Sequence, residues 1–372
     1  MTGTIIVVGA GLAGGTAVTE LREAGHTGPV ILIGSEPHPP YERPPLSKGY
    51  LLGNDPIEDA LVHSGDWYGQ HDVDFRPGTT VTGIDLGDHA LTMGEETLTY
   101  DKLLLATGSQ PRRLPLADGS GTPTAYLRTI EDCDRLKVAI SATARFAIIG
   151  AGWIGLEVAA AARLGGCEVT VFEQAELPLL GVLGPEVAQA FADLHRSHGV
   201  DLRLGSSVSS DDLHGFDLAL VGIGAAPDVE LASTAGLAVD NGVLVDARLR
   251  TSDPDVYAIG DIANHDHPVL GRRVRVEHWE NAIEQGKAVA HTLAGNEEAY
   301  ERMPYFFTDQ YDLGMEYVGG VGPDGYDRVD IDGDLHGSFR AYWVKDDTVV
   351  AAMHANDWDA SDAIRESIGT SR

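Results

Sequence analysis

The chain has 372 residues, 43% hydrophobic and 22% charged, a composition that fits a folded protein of two or three domains and excludes a mainly disordered one. Lys and Arg number 26 against 57 Asp and Glu, and the formal charge of −31 argues against nucleic acid and anionic membranes as partners. The two cysteines, Cys133 and Cys167, make no disulfide scaffold, Cys-x-x-Cys pair or zinc set; no apolar run is long enough to span a bilayer; and Met1-Thr2-Gly3-Thr4 carries no basic leader, so the expected location is the reducing cytoplasm.

In chain order, Thr4-Ile5-Ile6-Val7-Val8 is apolar on both faces, the pattern of a strand inside a parallel sheet. It runs into Gly9-Ala10-Gly11-Leu12-Ala13-Gly14. A helical stretch follows to about Ala24, with Ala17, Val18 and Leu21 on one face. After a Gly28-Pro29 break comes a second strand, Val30–Ile33, and Glu36 closes the unit 25 residues after Gly11. Residues 37–45 are too rich in proline for regular helix. Further strand-like sequence follows, including 101–108. The unit then recurs. A strand at Arg145–Ile149 leads to Gly150-Ala151-Gly152-Trp153-Ile154-Gly155, an Ala-rich helix over 156–164 and a strand at Glu168–Phe172. Glu173 closes it, 21 residues after Gly152. Beyond lie apolar runs at 218–224, 243–245 and 256–261, and a helix is predicted over 281–293. From about Glu301 the texture turns to aromatics and alternation, with a hairpin (339–344 and 349–353) and a terminal helix over 361–368.

Each glycine of such a turn has its own task. The first permits the bend, the second lets a pyrophosphate approach the backbone, and the third lets helix and strand pack closely. The helix N-terminus adds free N–H groups and partial positive charge. The terminal acid accepts a hydrogen bond from a ribose 2′-hydroxyl. At Glu173 it would repel a 2′-phosphate, so NADH is expected over NADPH. Two copies about 140 residues apart, Gly9 to Gly150, point to two adenine dinucleotides and an electron relay between a tightly held flavin and an exchangeable nicotinamide. The expected fold class is α/β. It has two Rossmann-type dinucleotide-binding domains, 1–108 with 226–300 for FAD and 109–225 for NAD, plus a small C-terminal α+β domain, 301–372.

The sequence resembles the FAD-dependent pyridine nucleotide reductases, which are glutathione reductase-like in fold. Within them it resembles the single-component ferredoxin reductases that serve bacterial cytochromes P450 and Rieske-type dioxygenases. Besides the two glycine turns, the resemblance rests on Pro40-Tyr41-Glu42-Arg43-Pro44-Pro45-Leu46-Ser47-Lys48, Leu105-Ala106-Thr107-Gly108 and Leu127-Arg128-Thr129. It continues through Leu156-Glu157, Tyr257-Ala258-Ile259-Gly260-Asp261 and Pro304-Tyr305-Phe306-Phe307-Thr308-Asp309-Gln310-Tyr311-Asp312.

By that resemblance, Gly9, Ala10, Gly11, Leu12, Ala13, Gly14 and Glu36 would hold the FAD adenosine diphosphate. Arg43 and Lys48 would lie along the flavin, and Val81 would touch the adenine side. Ala106, Thr107 and Gly108 would cover the phosphates, Arg128 would pair with the cofactor, Gly260 and Asp261 would meet the ribityl chain, and Trp279 would sit near the ring. Gly150, Gly152, Ile154, Gly155, Glu157 and Glu173 would hold NADH, with Gly222-Ile223-Gly224 along its nicotinamide half. Lys48 would stabilise negative charge on reduced flavin, and Glu157 would keep that lysine ionised; these two are the expected catalytic residues.

The family's disulfide reductases place cysteine beside the flavin, where this chain has Pro44-Pro45-Leu46-Ser47-Lys48, so Cys133 and Cys167 read as structural. Tyr305, Phe306 and Phe307 stand where relatives often carry tryptophan, and the sequence leaves open which of them gates the flavin. After Glu173 the family usually offers an arginine, whereas here none follows until Arg196, which predicts weak NADH affinity. His195 with His198, and His265 with His267, lack further metal ligands at a sensible spacing and read as exposed loop or helix residues, so no metal is expected. The implied partner is an iron–sulfur ferredoxin. Because ferredoxins are acidic, a locally basic docking patch is needed, and Arg272, Arg273 and Arg275 are the candidates. A monomer or weak homodimer is expected. The electron acceptor stays open at this level. Rubredoxin, quinone or oxygen would suit the same motifs, as would a redox-sensing flavoprotein like the apoptosis-inducing factors.

Overall fold

The computed structural model describes residues 2–142, 144–296 and 298–372. The chain forms two compact units. The first comprises Met1–Arg43, Ile57–Gln110 and Ala226–Arg302; the second comprises Pro44–Pro56, Pro111–Ala225 and Met303–Arg372.

The first unit is built on a parallel sheet whose order is Val256–Ala258, Lys102–Leu105, Ile5–Val8, Val30–Ile33, Val73–Arg76. Ile5–Val8 lies in the middle and is buried on both faces, as its unbroken apolar run requires. Val8 pairs with Ile33 on one side and Leu105 on the other, so three strand ends finish level beside the glycine turn. The helix Leu12–Glu23 crosses back over the sheet and packs against Trp279–Leu293. Their approach depends on small residues. A Cβ at Gly286 would press into the backbone of Ala13 and Ala17. Trp279–Leu293 begins two residues before the predicted start, because His278 caps it by accepting a hydrogen bond from the Glu280 N–H at 3.3 Å.

The second unit repeats the plan with a parallel sheet ordered Asp201–Arg203, Glu168–Phe172, Arg145–Ile149, Leu218–Val221, Thr124–Ala125. It also holds an antiparallel sheet ordered Tyr305–Gln310, Leu313–Gly319, Thr348–Ala355, Phe339–Lys345, Arg328–Gly333, closed by the helix Ser361–Ser367. The sequence reading sets 301–372 apart as a third domain and leaves 44–56 with the first. Compactness instead groups both with 111–225. Packing explains why. The strand Tyr305–Gln310 and the turn Pro44–Ser47 both lie on the helix Trp153–Leu164. The Trp343 indole N–H, fully buried, donates to the Leu183 carbonyl at 3.2 Å, beside the break at Gly184 that interrupts the helix Leu180–Ser197. Cys133 and Cys167 are both buried in this unit. The Cys133 thiol donates to the Leu46 carbonyl at 3.2 Å, and burial pushes it up to about 12.

The histidines correct one expectation. His265 and His267 lie in the strand Ala263–His267 and His195 in the helix Leu180–Ser197, and all three are buried rather than exposed. The alternation of that strand turns His265 and His267 inward, where the His267 ring meets the Arg302 carbonyl and the Leu270 N–H. His198 stacks on Tyr311, with ring centroids 3.7 Å apart. Among the described residues no group of three or more His, Cys, Asp or Glu is placed to hold a metal ion, and no helix is long and apolar enough to cross a membrane.

Candidate functional site

The two glycine turns have the same construction. Gly9 and Gly150 adopt φ of +114° and +103°, a region that favours glycine. A Cβ on Gly9 would overlap the Ala106 carbonyl, and one on Gly150 would overlap that of Gly222. A Cβ on Gly14 would strike the Gly9 carbonyl, and one on Gly155 the Gly150 carbonyl. Gly11 and Gly152 differ from these, since nothing lies within 4 Å of where their side chains would be. Each opens a helix with no side-chain cap, leaving backbone N–H groups facing that open space. Both cradles therefore fit a pyrophosphate.

Around the first cradle, Glu36 accepts from the Tyr41 hydroxyl at 2.5 Å and from the Arg43 guanidinium at 2.8 Å. Burial works against the Arg43 charge, but Tyr41, Glu36 and Asp261 together raise its pKa. Asp261, in the turn Gly260–Ile262, accepts from the Ser109 hydroxyl at 2.7 Å, and the Gly260 N–H donates to the buried Gln285 side chain at 2.8 Å. Ala106-Thr107-Gly108 leaves the end of Lys102–Leu105, and the Thr107 hydroxyl is tied to the Asp228 carbonyl at 2.7 Å. Val81 packs on the apolar core of this unit. Trp279 opens its helix close to Glu42, whose carboxyl burial raises and the indole pulls back.

Around the second cradle, Glu173 is held by its own backbone: it accepts from the Ala151 N–H at 2.7 Å and from the Ala175 N–H at 2.9 Å. Ile154, two residues after Gly152, and Ile223, whose N–H lies next to Gly150, stay 46% and 37% exposed. Gly224 takes φ of +97°. Arg128 lies at the head of the helix Ile130–Ala142, where its N–H and that of Thr129 donate to Asp132 at 3.0 Å.

The second unit also brings Lys48 and Glu157 together. The Lys48 ammonium lies 2.8 Å from Glu157 Oε1, and Glu157 is almost fully buried. The Thr308 hydroxyl donates to Oε1 at 2.6 Å and the Ser47 hydroxyl to Oε2 at 2.5 Å. Lys48 also lies 5.4 Å from the centre of the Phe307 ring. Phe307 is one of the three aromatics left open by the sequence. Phe306 packs on Trp153 with centroids 4.3 Å apart, and Tyr305 is buried with its hydroxyl on Glu316.

A family model described as pyridine nucleotide-disulphide oxidoreductase matches residues 3–286. The chain belongs to that family. It is 36% identical over 374 residues to putidaredoxin reductase of Pseudomonas putida, covering 95% of this chain and 88% of that protein. It is 39% identical over 334 residues to the ferredoxin–NAD(+) reductase component of the anthranilate 1,2-dioxygenase system of Burkholderia cepacia, covering 85% of this chain and 82% of that protein. Among solved structures, the covalent putidaredoxin reductase–putidaredoxin complex superposes with a TM-score of 0.92 at 35% identity, covering 98% of this chain and 92% of the other.

The docking patch needs correction. The Arg275 guanidinium donates to the Asp261 carbonyl and pairs with Glu277, and its side chain is 11% exposed. It braces the Asp261 turn instead of facing a partner. Arg273 is exposed, although one of its amino groups reaches the Val245 and Asn264 carbonyls at 3.0 and 2.8 Å.

Sequence reasoning assigned no role to several polar residues of these clusters: Tyr41, Ser47, Ser109, Gln285 and Thr308. None stands at a glycine-turn position. What finds them is the need of each buried charge or N–H for a partner, and that becomes visible only once distant segments meet.

Proposed function

We propose that the chain is an NADH-dependent FAD flavoprotein that passes electrons to an iron–sulfur ferredoxin, in turn supplying a P450 or Rieske-type oxygenase. The observation that carries the reading is the duplicated cradle, two glycine turns of one construction, each opening an uncapped helix over free space. Both relatives named above are reductases, and one is titled as a ferredoxin–NAD(+) reductase component. FAD held by these residues would supply the chemistry of accepting a hydride and giving up single electrons.

The chain's own residues then divide the work. In the first unit, Gly9 to Gly14, Ala106, Thr107 and Gly108 receive the FAD pyrophosphate, while Glu36 binds the ribose with Tyr41 and Arg43 fixing its carboxylate. Gly260, Asp261, Trp279 and Val81 complete that set; Arg128, the further cation expected to pair with the cofactor, belongs to the second unit. In the second, Gly150, Gly152, Ile154, Gly155 and Gly222-Ile223-Gly224 hold NADH. Glu173, its carboxylate fixed by two N–H groups, excludes a 2′-phosphate by charge. No arginine follows Glu173 in sequence until Arg196, so modest NADH affinity is expected, although in space the Arg203 carbonyl accepts from the Glu173 N–H at 2.9 Å. Lys48 supplies the positive charge that hydride arrival calls for. Glu157 anchors the ammonium, and the Phe307 ring lies 5.4 Å from it. Arg272 and Arg273 remain as the basic face for an acidic ferredoxin.

Rapid mixing tests this. The purified protein should be yellow. NADH should bleach it at least tenfold faster than NADPH, and subsequent mixing with a ferredoxin should restore the colour. A folded preparation that takes up no FAD overturns the reading. Fast bleaching with electrons passing only to rubredoxin, quinone or oxygen overturns the choice of partner.

A further inference from the structure

The Glu157 carboxylate is the end point of a longer chain of hydrogen bonds. Thr308 has one hydroxyl proton, and it goes to Glu157 Oε1 at 2.6 Å, since a carboxylate only accepts. The Thr308 oxygen in turn accepts from Gln310 Nε2 at 3.2 Å. That fixes the amide's orientation, so Gln310 Oε1 faces His195 Nε2 at 2.8 Å and accepts from it. His195 therefore carries its proton on Nε2. Its Nδ1 has no hydrogen-bond partner among the described residues. His195, Gln310 and Thr308 are all at most 1% exposed, so water does not compete for these groups. Three elements supply the chain: the helix Leu180–Ser197, the strand Tyr305–Gln310 and the helix Trp153–Leu164. Thr308 and Gln310 are two apart on the strand and share its face.

We propose that His195, Gln310 and Thr308 form a one-way donor relay that converges on Glu157, making them positioning residues for the Lys48–Glu157 pair. The proposal rests on the reading of Lys48 given above. Every N–H or O–H in the relay points toward the carboxylate, so its dipoles add at the point where the ammonium is held. Burial presses the His195 imidazole down to about 4, which keeps the ring neutral and the tautomer single near neutral pH. The charged and titratable groups facing this relay are Lys48 and Asp309 at the Glu157 end, and His198, Tyr311 and Arg163 at the other. The order of donors is set by the relay itself, Gln310 giving to Thr308 and Thr308 to Glu157.

Thr308→Val removes the hydroxyl at nearly constant shape. In the FAD-loaded enzyme it should slow NADH-driven flavin bleaching about tenfold, the size expected for one hydrogen bond to a charged group, with KM for NADH changed less than about twofold. The pH profile of bleaching should shift, and Thr308→Ser should restore both rate and profile. Nitrogen-15 spectra of histidine-labelled holoenzyme should show His195 protonated at Nε2 and bare at Nδ1, a readout independent of turnover. Wild-type bleaching and pH profile in Thr308→Val, while Lys48→Met collapses the rate, would overturn the relay and leave the Lys48 reading standing. An undiminished rate in Lys48→Met would overturn that reading and the relay with it. A Thr308→Ser protein as slow as Thr308→Val, or a His195 protonated at Nδ1, would also overturn the relay.

Discussion

Lys48 and Glu157 are 109 residues apart in sequence and 2.8 Å apart in space. A lysine beside a proline-rich turn and an acid one turn into an Ala-rich helix each have an ordinary explanation. Only the expectation that hydride arrival needs a cation, and that a partly buried cation needs an acid, joins them before the structure does. Replacing Lys48 with Met should lower the bleaching rate constant by about 10²-fold or more while FAD content stays at one per chain, measured by rapid mixing and absorbance. The histidines show the opposite case. Their sequence context says loop or helix surface, because polarity argues for exposure, yet His195 and His265 are buried and pressed down to about 4 by that burial. The sign of the consequence is definite. Unfolded chain binds a proton at each of these sites below about pH 6.5, and native chain does not until about pH 4. Stability is therefore fully present above pH 6.5 and falls by about 1.4 kcal/mol per pH unit for each histidine as pH drops toward 4. Urea unfolding midpoints measured between pH 7 and 4.5 should decline on this slope before most carboxylates titrate.

At the scale of elements, strand and helix types were legible wherever one period dominated. Ile5–Val8 and Arg145–Ile149 read as buried parallel strands, and Thr348–Ala355 with Phe339–Lys345 as a hairpin. Less legible was which face of an element meets which neighbour. Tyr305–Gln310 shows three aromatics in a row, and nothing in that run says that Thr308 meets Glu157 on the helix Trp153–Leu164 or that Gln310 meets His195 on the helix Leu180–Ser197. The cradles were legible because glycine is needed there for steric reasons that leave no substitute. A Gly155→Ala change forces a methyl against the Gly150 carbonyl and separates helix from strand. It should raise KM for NADH by tenfold or more with FAD content unchanged. Gly14→Ala makes the same clash in the first cradle and should instead yield protein short of flavin. Loss of flavin in both variants, or in neither, would contradict the assignment of one dinucleotide to each cradle.

For the molecule as a whole, a charge of −31 sets a background that repels an acidic ferredoxin. Local positive charge then governs encounter. Reversing Arg272 and Arg273 together to Glu should raise the apparent KM for ferredoxin severalfold and weaken its salt dependence, with NADH bleaching untouched. Reversing Arg275 should behave differently, lowering flavin content, because that side chain braces the Asp261 turn.

Both thiols of the chain are sealed inside the second unit, with Cys133 donating to a carbonyl and driven up to about 12. The native fold therefore carries its own alkylation clock. Maleimide or iodoacetamide should leave the intact enzyme unmodified and mark a molecule only when this half of it opens. The labelling rate then reports the breathing of one unit while the yellow colour reports the integrity of the other, without any engineered probe.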